Sequence, residues 1–389
     1  MSRIGGDWLT RPGTRAVMLA LTEAGAQAWF VGGCVRNSLL GAPVDDIDIA
    51  TDAVPDRVVE IAGAAGLKAV PTGIEHGTVT VVAKGLPHEV TTFRRDVETD
   101  GRRAVVAFST DMAEDARRRD FTMNALYAGL DGTVVDPLGE GLDDLSARRV
   151  RFIGTARDRI REDYLRALRY FRFHAWYGDA QAGLDPEALA AISTSLDGMA
   201  HVSRERVGGE TLKLLAAPNP APSVAGLRAS GLLRTILPGA DDRWLAALVY
   251  AEESLGLSPD PIRRLAALGG EDVPDMLRLS RVQTRAYQAL REGIGADMGP
   301  GELGYRLGLT AASDVLALRA ALGSTAPDRT LLSGAKTGAA AQFPVTANDL
   351  MPDLTGAALG EEMARLERLW IDSGFTLSQD ALMAVSKKG

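Results

Sequence analysis

Two hydrophobic periods run through the first 150 residues, and only one continues beyond them. Residues 15–26 place apolar side chains three and four apart, which predicts a helix. The apolar run Trp29-Phe30-Val31 then meets Gly32-Gly33, the pattern of a strand entering a tight turn. Ile47-Asp48-Ile49 alternates as a strand does. Residues 78–83 (TVTVVA) and 89–93 (EVTTF) are β-branched runs separated by Lys84-Gly85-Leu86-Pro87, which predicts a hairpin. Val134-Val135 is a further short strand, ended by Asp136-Pro137. Later in the chain, helix-length apolar patterns cover residues 163–176, 204–215 and 360–371. Pro218, Pro220 and Pro222 cannot continue a helix and mark a joint. Strands first and helices afterwards predict an α+β protein: a head with a mixed β-sheet and helices, then an all-α remainder.

Composition narrows the class. The chain has 389 residues, 46% hydrophobic and 24% charged. At about 100–200 residues per domain, that is room for several packed domains. Cys34 is the only cysteine, which excludes an intrachain disulfide and a cysteine-rich metal site. The four histidines (His76, His88, His174, His201) form no His-x-x-x-His pair. The N-terminal stretch lacks an apolar core of signal-peptide length, and no run of 18 apolar residues exists. A cytoplasmic protein without a membrane span is the expectation. Net charge is −8, yet residues 148–172 hold nine arginines against three acids. That excess predicts a phosphate-facing groove; the alternative is a helix face with internal ion pairs.

Candidate chemistry begins at Gly32-Gly33. A strand running into two glycines and a helix turns backbone N–H groups toward an anion. Neither a Walker lysine motif nor Gly-x-Gly-x-x-Gly is present to explain them. Asp46-Ile47-Asp48 follows, and on a strand residues i and i+2 share a face. Two carboxylates so placed call for a cation, and hard oxygen ligands suit magnesium. Glu89, at the start of EVTTF, is the candidate third carboxylate or else an edge-strand acid. Asp45 should face the other way.

VGGCVRNSLLG followed by DDIDIAT resembles the active-site motif of the class II tRNA nucleotidyltransferase and bacterial poly(A) polymerase family. That family lies within the polymerase-β-like nucleotidyltransferases. HGTVTVV and HEVTTFRRD resemble its head strands, RRDFTMNAL its second motif, and DPLG its turn. REDYLRALR is similar to its nucleotide-selecting motif, and SRER, with Glu210 and Leu212, to the helix after it. The resemblance spans residues 28–215 and is faint beyond. One position departs: the family carries Asp after Val-Arg, and here Asn37 stands there.

The resemblance implies a nucleotidyltransferase head (1–145), a helical nucleotide-selecting neck (146–216) and an all-α, tRNA-binding body and tail (217–389). It implies addition of C, C and A to tRNA 3′ ends from CTP and ATP, with pyrophosphate released and no obligate protein partner. Two magnesium ions held by Asp46 and Asp48, beside a catalytic Glu89, would act on the attacking hydroxyl and the departing pyrophosphate. Gly32, Gly33, Arg36 and Arg119 would bind the triphosphate. Asp120, Asn124, Asp163, Arg166 and Arg169 would bind the nucleotide, and Arg157, Arg161 and Arg172 the RNA. Three apart on a helix, Asp163 and Arg166 would share a face. One accepts and the other donates, which complements cytosine and adenine and repels uracil and guanine. Residues 94–108 resemble a flexible loop found in members that add the terminal A. The alternatives are a poly(A) or partial CCA polymerase, a catalytically retired RNA-binding protein, and a magnesium-dependent glycosyltransferase using Asp-x-Asp.

Overall fold

β-Branched runs that alternate buried and half-buried side chains can be satisfied only inside a sheet, and they build the first part of the molecule. The computed structural model describes residues 2–100 and 103–386, with side chains outside 96–106. The strands are β1 (Ala28–Val31), β2 (Asp48–Thr51), β3 (Lys68–Gly73), β4 (Thr78–Ala83), β5 (Leu86–Thr92), β6 (Arg94–Asp100), β7 (Arg103–Phe108), β8 (Tyr127–Ala128) and β9 (Val134–Val135). Seven of them form one sheet in the order β3-β4-β5-β2-β1-β8-β9. It is mixed, because β2 runs parallel to β5 while its other neighbour β1 is antiparallel. The predicted hairpin is tighter than its sequence suggests. β5 begins at Leu86, and Lys84-Gly85 make the turn with φ of 51° and 80°.

Helices around this sheet are α1 (Asp7–Thr10), α2 (Pro12–Glu23), α3 (Gly33–Leu39), α4 (Pro55–Ala64), α5 (Met112–Arg117) and α6 (Gly141–Ser146). The core between them gathers Val31, Ala50, Phe93, Ala116, Ala125, Tyr127 and Ile153, all buried. Residues 94–108 are not a plain loop. Their described backbone pairs as the antiparallel β6–β7 ribbon; residues 101–102 lie outside the described ones.

α7 (Ala156–Glu162), α8 (Leu165–Tyr177), α9 (Pro186–Ser193) and α10 (Arg204–Leu215) follow without strands. The expected continuous helix over 163–176 is broken at its start. Asp163 has φ −152° and ψ 105°, so α7 ends before it and α8 begins after it.

The chain separates into two compact units, Met1–Glu210 with Pro222–Ile236, and Thr211–Ala221 with Leu237–Gly389. The secondary-structure elements among the second unit's described residues are all helices, joined by turns and loops. Within it, Glu252 is enclosed with Arg263 and Arg264 at 2.8 Å each, and Arg264 also donates to Leu215 O at 2.6 Å. A separate apolar cluster forms around Leu366 and Trp370.

Candidate active site

The turn after β1 places the first group. Gly32 has φ 73° and ψ −120°, a left-handed conformation that disfavours a side chain. A Cβ there would lie 3.6 Å from Arg119 Nη1, so Arg119 packs directly over the turn. Arg36, one turn into α3, is only 6% exposed and is held by three residues. It donates to Asn124 Oδ1 at 2.5 Å, to Asn37 Oδ1 at 3.1 and 2.9 Å, and to Tyr177 OH at 2.8 Å. Its guanidinium also lies 3.9 Å from the Tyr177 ring centroid.

Asn37 therefore keeps the acceptor role expected of an acid at this position. Its Nδ2 adds something a carboxylate cannot, donating to Pro43 O at 2.7 Å. Pro43 lies in the segment leading to Asp46.

The carboxylates come next. β2 starts at Asp48, so Asp46 lies on the segment before the strand rather than on it. The two-residue alternation does not govern that segment, and Asp45 joins Asp46 instead of facing away. Asp48 is the register partner of Glu89 across the parallel β2–β5 pair. Asp45, Asp46, Asp48 and Glu89 all line one cavity of about 450 Å³. Side chains of Asp46, Asp48 and Glu89 make no hydrogen bond or ion pair with any described residue. Burial, then the charges of Glu89 and Asp46, push the Asp48 carboxyl up to about 6, while Arg119 opposes the rise. Such unpartnered, crowded oxygens fit a divalent cation. Among the described residues no group of three or more acidic, histidine or cysteine side chains is arranged to hold a metal ion. An open pair of carboxylates matches magnesium, which keeps waters and takes its remaining ligands from phosphates. Cys34 sits beneath this site, and burial pushes its thiol up to about 12, so it is no nucleophile.

A second cavity, of about 270 Å³, is lined by Arg118, Arg119, Asp120, Asp163, Leu165, Arg166, Arg169 and Arg206. Asp120 anchors its floor. Its Oδ1 accepts from Asn124 Nδ2 at 2.9 Å, and its Oδ2 from Arg169 Nε at 2.9 Å. Burial raises the Asp120 carboxyl, but Arg169 and Asn124 pull it down to about 2. Asp163 and Arg166 both reach this cavity although they do not share a helix. Asp163 caps the start of α8 through Leu165 N at 3.1 Å and accepts from Arg206 Nη2 at 2.6 Å. Arg166 pairs with Glu162 and holds Arg159 O at 3.1 Å, while its Nη2 is 3.4 Å from Arg118 O.

The arginine run of 148–172 is largely turned inward. Arg149 and Arg151 hold the fully buried Asp144, Arg159 and Arg166 hold Glu162, and Arg172 reaches Glu210 at 2.9 Å. Arg172 is half-buried behind Arg169, whereas Arg157 and Arg161 on α7 are exposed.

Three groups escaped sequence reasoning. Tyr177 closes over Arg36; its signal is the α8 face Arg166-Arg169-Phe173-Tyr177, spaced three, four and four. Arg206, on α10, steadies Asp163 from 43 residues away. Asp115 is 1% exposed and holds both Arg118 at 2.7 Å and Arg119 at 3.0 Å. Burial raises the Asp115 carboxyl, yet Arg119 and Arg118 draw it down to about 2. A carboxyl with a depressed folded pKa stabilises above its unfolded value, near 4, and loses that contribution as pH falls toward 2. Asp115→Asn leaves two arginines without their anion and should cost about 2–4 kcal/mol at neutral pH. Thermal melts should show the deficit shrinking between pH 5 and pH 2; an equal deficit at both ends would refute the pairing.

Comparison with known proteins decides the family. Residues 28–151 match the poly A polymerase head domain, and 183–243 match the probable RNA and SrmB-binding site of polymerase A. The chain is 34% identical to CCA tRNA nucleotidyltransferase 1, mitochondrial, of Danio rerio over 375 residues, covering 91% of this chain and 86% of that one. The human protein of the same name is 34% identical, with 92% and 86% covered. The chain belongs to the tRNA nucleotidyltransferase and poly(A) polymerase family. The crystal structure of the Bacillus stearothermophilus CCA-adding enzyme in complex with CTP superimposes with a TM-score of 0.73 at 27% identity, covering 97% of this chain and 98% of that one. The Thermotoga maritima CCA-adding enzyme complexed with tRNA shares the fold over the full length of both, with a TM-score of 0.71 at 19% identity. This member of the family has no helix among its described residues long and apolar enough to cross a membrane.

Proposed function

We propose that this chain adds C, C and A to tRNA 3′ ends, transferring CMP and AMP from CTP and ATP and releasing pyrophosphate. One observation carries the reading. Arg119 lies over the Gly32 turn, lines the arginine cavity and acts electrostatically on Asp48. It therefore joins an anion cradle, a base-sized cavity and a carboxylate cluster into one site. The triphosphate lies along Gly32, Gly33, Arg36 and Arg119, with Asn124 and Tyr177 holding Arg36. Asp46 and Asp48 would hold magnesium, with Glu89 beside them; the metal supplies activation of the attacking hydroxyl and charge neutralisation of the leaving pyrophosphate. The protein's own share is positioning and preorganised charge.

Asp120 fixes Arg169, and Asp163 and Arg166 read the base. The exposed Arg157 and Arg161 are offered to RNA, and Arg172 serves as the wall behind Arg169. The head match ending at 151 and the strand-free stretch after it support a catalytic head over 1–145 and a neck over 146–216. Residues 217–389 are left to grip the tRNA.

The test is extension of a tRNA transcript ending at the discriminator base, with magnesium and CTP, ATP or both. Two C residues from CTP and a final A only with both nucleotides are expected. An A ladder from ATP alone would move the protein to the poly(A) branch. Asn37→Ala removes two bonds to Arg36 and the tie to Pro43, and KM for CTP should rise about tenfold, the worth of a hydrogen bond to a charged group. An unchanged KM would detach Asn37 from the triphosphate.

A further inference from the structure

The carboxylate cavity poses an electrostatic problem for its own substrate. An RNA 3′ end brings phosphodiesters with it, and the cavity lining holds four carboxylates. Arg11 is the single basic residue lining that cavity apart from the buried His88, whose charged form burial disfavours. Despite these acidic neighbours, the exposed Arg11 guanidinium makes no hydrogen bond or ion pair with any described residue. An arginine beside acids that pairs with none of them is left available for an anion.

Its backbone is firmly placed. Arg11 precedes Pro12, which restricts it to extended φ/ψ, and it adopts −55° and 132°. Pro12 opens α2. Gly13 then packs on the β4–β5 turn so closely that a Cβ would stand 2.5 Å from Ala83 O. Thr14, fully buried, shares a 3.0 Å hydrogen bond with His88 Nε2. His88 is the residue before Glu89 on β5. Two consecutive contacts thus tie the start of α2 to the β4–β5 hairpin, whose second strand carries a cavity carboxylate.

We propose that Arg11 is the acceptor-end phosphate contact: it binds the phosphodiester of the RNA's terminal nucleotide and steers the 3′-hydroxyl toward Asp46 and Asp48. The role rests on the tRNA reading above. It is distinct from the triphosphate cradle, which is built from Gly32, Arg36 and Arg119.

The experiment compares wild type, Arg11→Ala and Arg11→Lys in CTP addition to a tRNA lacking CCA. Arg11→Ala should raise KM for tRNA about 5- to 20-fold, with KM for CTP and the melting temperature unchanged. The dependence of tRNA affinity on salt should become shallower by about one unit of log–log slope, the mark of one lost phosphate contact. Arg11→Lys should recover part of the affinity. A rise in KM for CTP alone would assign Arg11 to the triphosphate or pyrophosphate and overturn the proposal. No change in either constant would overturn it too. Filter binding of tRNA in chelator, without nucleotide, reads Arg11 separately from turnover. If wild type fails to extend tRNA, the functional reading falls, while the binding difference still decides Arg11.

Discussion

Asp48→Asn should abolish nucleotide addition while making the metal-free protein more stable. The carboxylate is crowded by Glu89 across the parallel strand pair and by Asp46, and the charge of Arg119 offsets this only in part. Burial and those charges raise its folded pKa from 3.8 to about 6. A raised carboxyl favours folding fully only below its unfolded pKa, and the benefit is lost as pH passes 6. At pH 7 the ionised group therefore destabilises the metal-free fold, and a neutral isostere relieves roughly 1–3 kcal/mol. Catalysis moves the other way. With one of two cation-holding carboxylates gone, kcat for CTP addition should fall by about 10³-fold or more, since loss of preorganised charge at such centres costs several kcal/mol. Thermal melts in chelator, repeated with magnesium and CTP, separate the two effects. Wild type should gain stability on adding magnesium and CTP, and the variant should gain much less. A variant that melts lower than wild type in chelator would show that Asp48 has a compensating partner, and retained turnover would remove it from the reaction.

Local chemistry in this chain was legible where neighbours in sequence are neighbours in space. The Gly32-Gly33 turn, the β4–β5 hairpin and the α10 helix follow from period and turn residues alone. The site's carboxylates were legible as types but not as geometry. Asp46 and Asp48 do share a cavity, but the segment before Asp48 is not strand, so Asp45 was misplaced. The register that sets Asp48 against Glu89 depends on a parallel pairing across 41 residues, and no local pattern encodes it. The arginine run shows the same limit from the charge side. Counted locally, nine arginines faced three acids; their real partners include Asp120, Asp144 and Glu210, which lie outside the run. Arg36 and Tyr177 meet across 141 residues, so the side chain completing the anion cradle was invisible until α8 was placed. Asn37 ran the opposite way. It departs from the family's Asp in sequence, yet its amide satisfies Arg36 and Pro43 at once.

Base choice should follow the hydrogen-bonding polarity of Asp163 and Arg166. An ionised Asp163 only accepts, which suits the exocyclic amino group of cytosine or adenine; Arg166 only donates, which suits the adjacent ring nitrogen. Uracil would set its carbonyl against Asp163 and its ring N–H against Arg166. A site built this way rejects the wrong base by leaving desolvated polar groups unpaired, typically about 10⁴-fold or more. Asp163→Asn supplies a donor as well as an acceptor and removes the charge. Discrimination between CTP and UTP, as the ratio of kcat/KM, should fall by about 10²-fold or more, mostly through improved use of UTP. Arg206 and Leu165 N, now bound at 2.6 and 3.1 Å, compete for the remaining amide oxygen, so CTP addition should also slow. Arg166→Ala should impair CTP and ATP together, because it removes the donor both bases use. Its neighbours make that loss specific: Glu162 retains Arg159 as a partner, so α7 keeps its end. If Asp163→Asn lowers CTP use without admitting UTP or GTP, Asp163 is a scaffold for Arg206 and α8, and the base is read elsewhere in the cavity. Admission of UTP by Asp163→Asn but not by Asp163→Ala would assign recognition to the polarity of this one side chain.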